Sequence, residues 1–300
     1  MTTSSLPDFD QMPAPDAGRG VILRARARRH HWEGEGWLSI KTFAGGRALY
    51  RAGGGYFAVD DAAYLVLNHG QPYAIAIEAD APVESCCVFF APGFAEEVAR
   101  GLTLPPERLL DNPVGGDTGP VCFYERTYPH DDLVSPALRR LRAAHERGAE
   151  PDRLDEQWHD LMARLLLARR GVRREVAGLA AARAATRDEL YRRAHRAREY
   201  AAALSDQPVT LDDLARVACL SSNHLLRTFR EVFHQTPHQY LTARRLERAR
   251  QLLVATDQPV TEVCLAVGFQ SLGSFSRLFR RYTGLSPAAY RRRQRPRQIG

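Results

Sequence analysis

The sequence predicts an α+β chain: a β-rich N-terminal part, a helical middle and an all-α C-terminal third built on a repeated pair of helices. Three observations predict it. Short apolar runs between turn residues fill residues 21–91, the apolar spacing changes to a helical period from about residue 131, and the last third repeats itself at an offset of fifty. A chain of 300 residues with 44% hydrophobic content suits two domains, each with its own core.

Residues 1–20 are rich in Pro, Asp and Ser and lack a basic stretch followed by an apolar one, so they read as a disordered tail and not an export signal. The runs 37–40, 56–59, 64–67 and 83–90 have strand length. Gly45-Gly46, Gly53-Gly54-Gly55, Asp60-Asp61, Asn68-His69-Gly70 and Ala91-Pro92-Gly93 separate them as turns. Strands so closely spaced predict a small barrel or sandwich over 21–130. Within that region, 94–110 reads as a helix and 111–119 as a Gly/Pro/Asp-rich loop. In 131–170, Leu154, Trp158, Leu161, Met162, Leu165 and Leu166 share one helical face, which needs a partner surface. That partner is either the chain's own domain or a second subunit. The Ala-, Gly- and Arg-rich stretch 171–185 reads as a linker to a last domain at 186–295.

No apolar stretch approaches the ~20 residues of a membrane span. The five cysteines (Cys86, Cys87, Cys122, Cys219, Cys264) are odd in number and contain no Cys-x-x-Cys, which favours the reducing cytoplasm over a disulfide framework. The adjacent Cys86 and Cys87 read as ordinary strand residues. Charge is uneven. Residues 187–300 hold 20 Arg against 10 acidic residues, whereas 1–186 hold 22 basic against 25 acidic ones. A Lys-poor composition, with Lys41 the single lysine, explains the choice of Arg but not this asymmetry. A cationic C-terminal third fits a polyanionic partner.

Helix starts are well marked there. Thr186 with Glu189, and Thr210 with Asp213, form capping boxes; Ser222 opens another helix, and Thr236-Pro237 starts a long one to about residue 255. Thr261, Ser271 and Ser286-Pro287 then repeat the signals. At the offset of fifty, Ser221 matches Ser271, Leu225 Phe275, Arg227 Arg277, Phe229 Phe279, Arg230 Arg280, Thr236 Ser286, Pro237 Pro287 and Tyr240 Tyr290. Val209-Thr210 pairs with Val260-Thr261, one residue out of step. Each copy reads as a short helix, a tight turn and a second helix. The first copy buries Leu214, Ala218, Leu225 and Phe229; the second buries Val263, Val267, Phe275, Phe279 and Tyr282. This is the helix-turn-helix plan, whose second helix lies in a major groove of DNA.

The segment Val263-Cys-Leu-Ala-Val-Gly-Phe-Gln-Ser271, with Phe275-x-Arg277-x-Phe279-Arg280 and Gly284-x-Ser286-Pro287-x-x-Tyr290, resembles the signature of AraC/XylS-type regulators. Leu214-Ala-x-x-Ala218-x-x-Ser221 and Leu225-x-Arg227-x-Phe229-Arg230 match that family's other helix-turn-helix. Cys264 stands where the family usually has Ala. The resemblance implies two reading units joined by one long helix, each entering one of two successive major grooves. Carried onto this sequence, it implies base contacts from Asn223, Leu226 and Arg227 and from Gly273, Ser274, Ser276 and Arg277. Ser222, Arg230, Ser271, Arg280 and Arg281 are then the expected phosphate contacts.

The resemblance further implies a cupin-like barrel at 21–130, binding an effector or pairing subunits, with helices at 131–170 as a dimerisation region. Trp37, Tyr50, Tyr56, Tyr64 and Tyr73 are pocket candidates, with ordinary core or edge aromatics as the other reading. In that scheme Leu154, Trp158, Leu161 and Leu165 form a dimer helix. Expected partners are double-stranded DNA, a small-molecule effector, a second copy and RNA polymerase, with no membrane and no cofactor. A cupin-type metal enzyme with a basic helical tail is the alternative, but His69 stands alone and His30-His31 point to opposite strand faces, so no His-x-His triad is available. A non-specific packaging protein would not need two groove-reading helices.

Overall fold

In the computed structural model, residues 18–103, 119–181 and 183–294 are described. Of the tail expected over 1–20, residues 1–17 lie outside them, and Gly20 opens the first strand; 104–118 of the helix and loop expected over 94–110 and 111–119 also lie outside. The chain forms two compact units, 1–192 and 193–300.

Seven strands build the first unit: β1 (Gly20–Gly34), β2 (Ser39–Ala44), β3 (Ala48–Ala52), β4 (Gly55–Val59), β5 (Ala63–Leu67), β6 (Tyr73–Phe90) and β7 (Thr127–Pro129). All pairings are antiparallel, in the order β4-β3-β6-β2-β5-β7, with β1 also on β6. The 18-residue β6 is the spine: its first half lies between β1 and β3, its second between β1 and β2. A register shift at Ala27/Arg29 bends the β1–β6 ribbon between these halves. The sheet curls until β4 approaches β5 and β7, giving a nearly closed cupin-like barrel. Phe43, Tyr50, Phe57, Leu65, Tyr73, Ile75, Ile77 and Val83 fill its interior. β1 escapes an apolar-run search because Arg24, Arg26 and Arg28 alternate with half-buried Leu23, Ala25 and Ala27.

Helices α1 (Phe94–Gly101), α2 (Ser135–Glu146) and α3 (Pro151–Ala177) complete this unit. The apolar face of α3 is covered by its own domain: Trp158, Leu161 and Leu165 are 0% exposed. The Trp158 ring meets Phe90 edge-on at 5.7 Å, and a Cβ on Gly20 would come within 2.8 Å of that ring. The expected dimer stripe is thereby corrected for three of its residues: Trp158, Leu161 and Leu165 are core of their own domain, while Leu154 is half-buried. The expected linker also changes. Ala and Arg are strong helix formers, α3 continues to Ala177, and α4 (Ala184–Ala203) begins before Thr186, which lies inside the helix and does not cap it.

The second unit holds the rest of α4, then α5 (Leu211–Val217), α6 (Ser222–Phe233), α7 (Pro237–Ala255), α8 (Val260–Ala266), α9 (Leu272–Thr283) and α10 (Pro287–Gln294). Thr210 with Asp213, and Thr236 with Gln239, form complete capping boxes. Ala197, Ala201, Leu214, Ala218, Leu225, Phe229 and Leu241 form one core; Leu246, Ala249, Leu253, Val263, Val267, Phe275 and Phe279 form the other. Phe229 and Phe279 are fully buried, so truncation of either to Ala would cost about 3–5 kcal/mol. Tyr282 was expected in the second core but is 49% exposed, its hydroxyl reaching Glu247 at 3.4 Å.

Candidate nucleic-acid interface

Each reading helix starts on a serine. Ser221 accepts from the His224 amide at 3.3 Å and Ser271 from the Ser274 amide at 3.4 Å. The cap of α6 is therefore Ser221. Ser222, expected to open the helix, is its first residue and donates its hydroxyl to Asp212 at 2.6 Å. Between α8 and its proline N-cap, Pro259, there is no side-chain cap bond, and Thr261 sits one residue inside the helix.

Packing of Leu225 and Phe229 turns Asn223, Arg227 and Arg230 outward on one face at i, i+4 and i+7. Packing of Phe275 and Phe279 does the same for Gly273, Arg277 and Arg280, with Arg281 beside them. Leu226, Ser274 and Ser276 are half-buried at the margins of these faces, and Ser271 is exposed at the start of α9.

The arginines divide into two groups. Arg227, Arg230, Arg277, Arg280 and Arg281 have no side-chain hydrogen bond or ion pair among the described residues. Arginines behind them hold the scaffold. Arg193 donates to the Cys219 carbonyl at 2.8 Å, and Arg216 pairs with Asp213 at 2.7 Å. Arg245 forks onto the carbonyls of Ser205 and Gln207, both at 2.7 Å. Arg291 forks in the same way onto Leu253 at 3.2 Å and Gln258 at 2.5 Å. Solvent-facing guanidiniums on two like faces are suited to phosphate oxygens and to guanine O6/N7.

The five pocket aromatics of the barrel do not form one site. Tyr50 and Tyr73 meet inside it with ring centroids 5.8 Å apart, while Trp37 is half-buried and Tyr56 lies on the outer face, 43% exposed. Tyr64 is stacked on Tyr128 at 5.5 Å, and that pair is separate from the Tyr50–Tyr73 cluster. Strand alternation explains the division, since neighbours in sequence point to opposite faces.

The barrel also holds a residue that the sequence singled out only as a compositional oddity. Lys41 is buried, donates to the Tyr73 hydroxyl at 3.3 Å and lies 3.7 Å from the Phe89 ring centroid. Burial pulls its ammonium down to about 8, with the neighbouring Cys87 opposing weakly. Among the described residues, no group of three or more His, Cys, Asp or Glu side chains could hold a metal ion, and no helix is long and apolar enough to cross a membrane.

The two matched faces define a double helix-turn-helix protein. A helix-turn-helix domain family matches residues 214–293. The regulatory protein SoxS of Salmonella typhimurium is 39% identical over 88 residues, covering 29% of this chain and 82% of that protein. The melibiose operon regulatory protein of Escherichia coli is 37% identical over 87 residues, 29% of each chain, so the match spans under a third of that relative's length. Among solved structures, the DNA-binding domain of AdpA in complex with a target DNA is similar at 33% identity, covering 35% of this chain and 96% of that one, with a TM-score of 0.33. The chain belongs to the AraC/XylS family of transcriptional regulators.

Proposed function

We propose that this protein is a sequence-specific DNA-binding regulator of transcription, with α6 and α9 reading two successive major grooves. The observation that carries the reading is the division among the arginines. Five guanidiniums on the two outward faces lack an internal partner among the described residues, while those behind them are committed to carbonyls and carboxylates. In this reading Asn223, Leu226, Arg227, Gly273, Ser274, Ser276 and Arg277 face bases. Arg230, Ser271, Arg280 and Arg281 face phosphates, and Ser222 joins them only by releasing Asp212.

The first unit is the regulatory part, answering to a small effector. A second copy and RNA polymerase are the protein partners, and any subunit seam lies outside the buried stripe of α3.

Selection of bound sequences from a random duplex pool with the full chain tests this. The expected product is a two-part site with its halves about 10 bp apart, and an affinity that falls steeply with salt as counterions are released. Absence of a preferred sequence, or affinity flat between low and moderate salt, would overturn it.

A further inference from the structure

We propose that the cleft between the outer face of the sheet and helix α2 binds a small organic acid, an anion with an apolar body. The cleft encloses about 710 Å³, inside the range of about 300–1,000 Å³ common for small-molecule sites. Two rungs of the sheet form its floor. Arg24, Cys86 and Thr42 are cross-strand neighbours on β1, β6 and β2, and Arg26, Glu84 and Ala44 form the next rung. Ser135, Leu138, Arg139 and Arg142 of α2 overhang it at i, i+3, i+4 and i+7, one face of a helix.

Charge gives the ligand its sign. Arg24, Arg26, Arg139 and Arg142 line the cleft, facing the carboxylates of Asp61 and Glu84, with Glu146 at the end of α2. Glu146 is bound to Arg24 at 2.6 Å, Glu84 lies 3.8 Å from Arg26, and Asp61 accepts from the Gly45 amide at 3.3 Å. Arg139 and Arg142 have no carboxylate partner among the described residues. Two like charges three positions apart on one helix repel, and a bound anion reverses that repulsion. A guanidinium fork also fits the two oxygens of a carboxylate.

The rest of the lining is neutral. Thr42 donates to the Cys86 carbonyl at 2.7 Å and Ser85 to the Ala25 carbonyl at 3.3 Å, so both hydroxyl protons are committed. Burial pushes the Cys86 thiol up to about 11 and lowers His130, whose Nδ1 is 2.9 Å from the Ser135 hydroxyl. The floor therefore adds no further anion and no titrating cation near pH 7. Leu138 and Ala44 line it and offer apolar contact to the body of the ligand, whereas the Phe43 ring packs beside Tyr50 on the barrel side. The cleft is thus distinct from the barrel interior around Tyr50 and Tyr73.

The inference rests on the regulatory reading only in calling the occupant an effector. Binding is therefore measured on the full chain without DNA, and affinity for the selected duplex is measured separately. The probe is 8-anilinonaphthalene-1-sulfonate, an aryl anion followed by fluorescence, competed with sodium octanoate or with octan-1-ol. Octanoate should displace it and octanol at equal concentration should not. Arg139→Gln with Arg142→Gln should weaken the probe at least tenfold with an unchanged far-UV spectrum. Arg142→Lys, which keeps the charge but not the fork, should weaken it severalfold. Arg140→Gln, on the side of α2 that faces Asp160, should leave it unchanged. Equal binding by wild type and the double variant, or equal competition by octanol, would overturn the site. Loss of duplex binding with probe binding intact would instead count against the regulatory reading alone.

Discussion

The two helix-turn-helix copies reach the same backbone by different chemistry. At the turn of the first, the Leu220 amide returns to the Ala215 carbonyl at 2.9 Å; in the second, the Phe269 amide returns to Cys264 at 3.0 Å. The residue that must turn left-handed is Cys219 (φ 52) in one and Gly268 (φ 85) in the other. The reading helices end on the same conformation at His234 (φ 55) and Gly284 (φ 81). The first copy opens on a complete capping box, while the second opens on Pro259 without one. Beneath the first copy lie buried His195 and Glu199, whereas among the described residues of α7–α10 no charged side chain is buried. The comparison teaches that the fold fixes the geometry and leaves open which groups supply it. The first copy relies more on polar contacts and the second more on glycine and apolar packing.

The largest effect expected to separate the two copies comes in acid. Burial alone would raise the Glu199 carboxyl, but the adjacent Arg198 and His195 overrule it and hold it at about 2, below its ordinary 4.5. A carboxyl held low in the folded state contributes stability above about pH 4.5, and loses it as the pH falls toward 2. The contribution is on the order of 3 kcal/mol, discounted for the strength of the coupling. Hydrogen exchange near pH 3 should show α5 and α6 opening before α8 and α9. Glu199→Gln should destabilise the first copy at pH 7 and leave little further acid sensitivity. Simultaneous opening of both copies in wild type would break the contrast.

Next in size are the readers. Arg227→Ala and Arg277→Ala should each weaken the selected duplex by about 1–3 kcal/mol and relax one base-pair position. The two positions should lie about one helical turn apart, and Arg230→Ala should weaken all duplexes alike. An Arg277 variant with full affinity and unchanged preference would show that the copies are not equivalent readers.

Smaller effects belong to the turns. Gly268→Ala should destabilise the second copy by about 1–2 kcal/mol through its left-handed φ, and its Cβ would sit 3.0 Å from the Arg245 Nε. Cys219→Gly should stabilise the first copy by up to about 1 kcal/mol by the same argument reversed. Urea midpoints of the second unit separate the two. Smallest is the cap, where Thr210→Ala should cost about 1 kcal/mol. No equivalent loss is available at Pro259, so a matching loss on Pro259→Ala would contradict the asymmetry.

Sequence reading recovered the features written in local chemistry. The Thr210 and Thr236 boxes and the outward sets on α6 and α9 follow from cap residues and a 3.6-residue period. It misaligned the leading helices, because Val209-Thr210 resembles Val260-Thr261. The hydrogen bonds instead place Leu220 opposite Phe269, an offset of 49, and Gln270 is the extra residue that restores fifty at Ser271. The Trp158 stripe showed that a face is buried, but periodicity does not say by what. The barrel aromatics failed for a related reason, since which strand lies opposite which is set by the pairing of β6 with three others. The cleft under α2 needed both a sheet rung and a helix face, and neither is visible as a run.

Arg245 has a consequence for operator architecture. Its fork holds the carbonyls that precede the first copy, while its guanidinium lies 5.9 Å from the Phe269 ring and against Gly268, at the turn of the second. One side chain thus touches both the approach to the first copy and the turn of the second, across the long helix that joins them. An operator lengthened by one base pair would present its second half rotated by roughly 35° about the duplex axis. If α6 and α9 read two successive grooves as proposed, that error must be absorbed by twisting the DNA, and a lower affinity for the lengthened duplex is the expected outcome. Arg245→Ala is then expected to narrow the difference in affinity between duplexes of the two lengths.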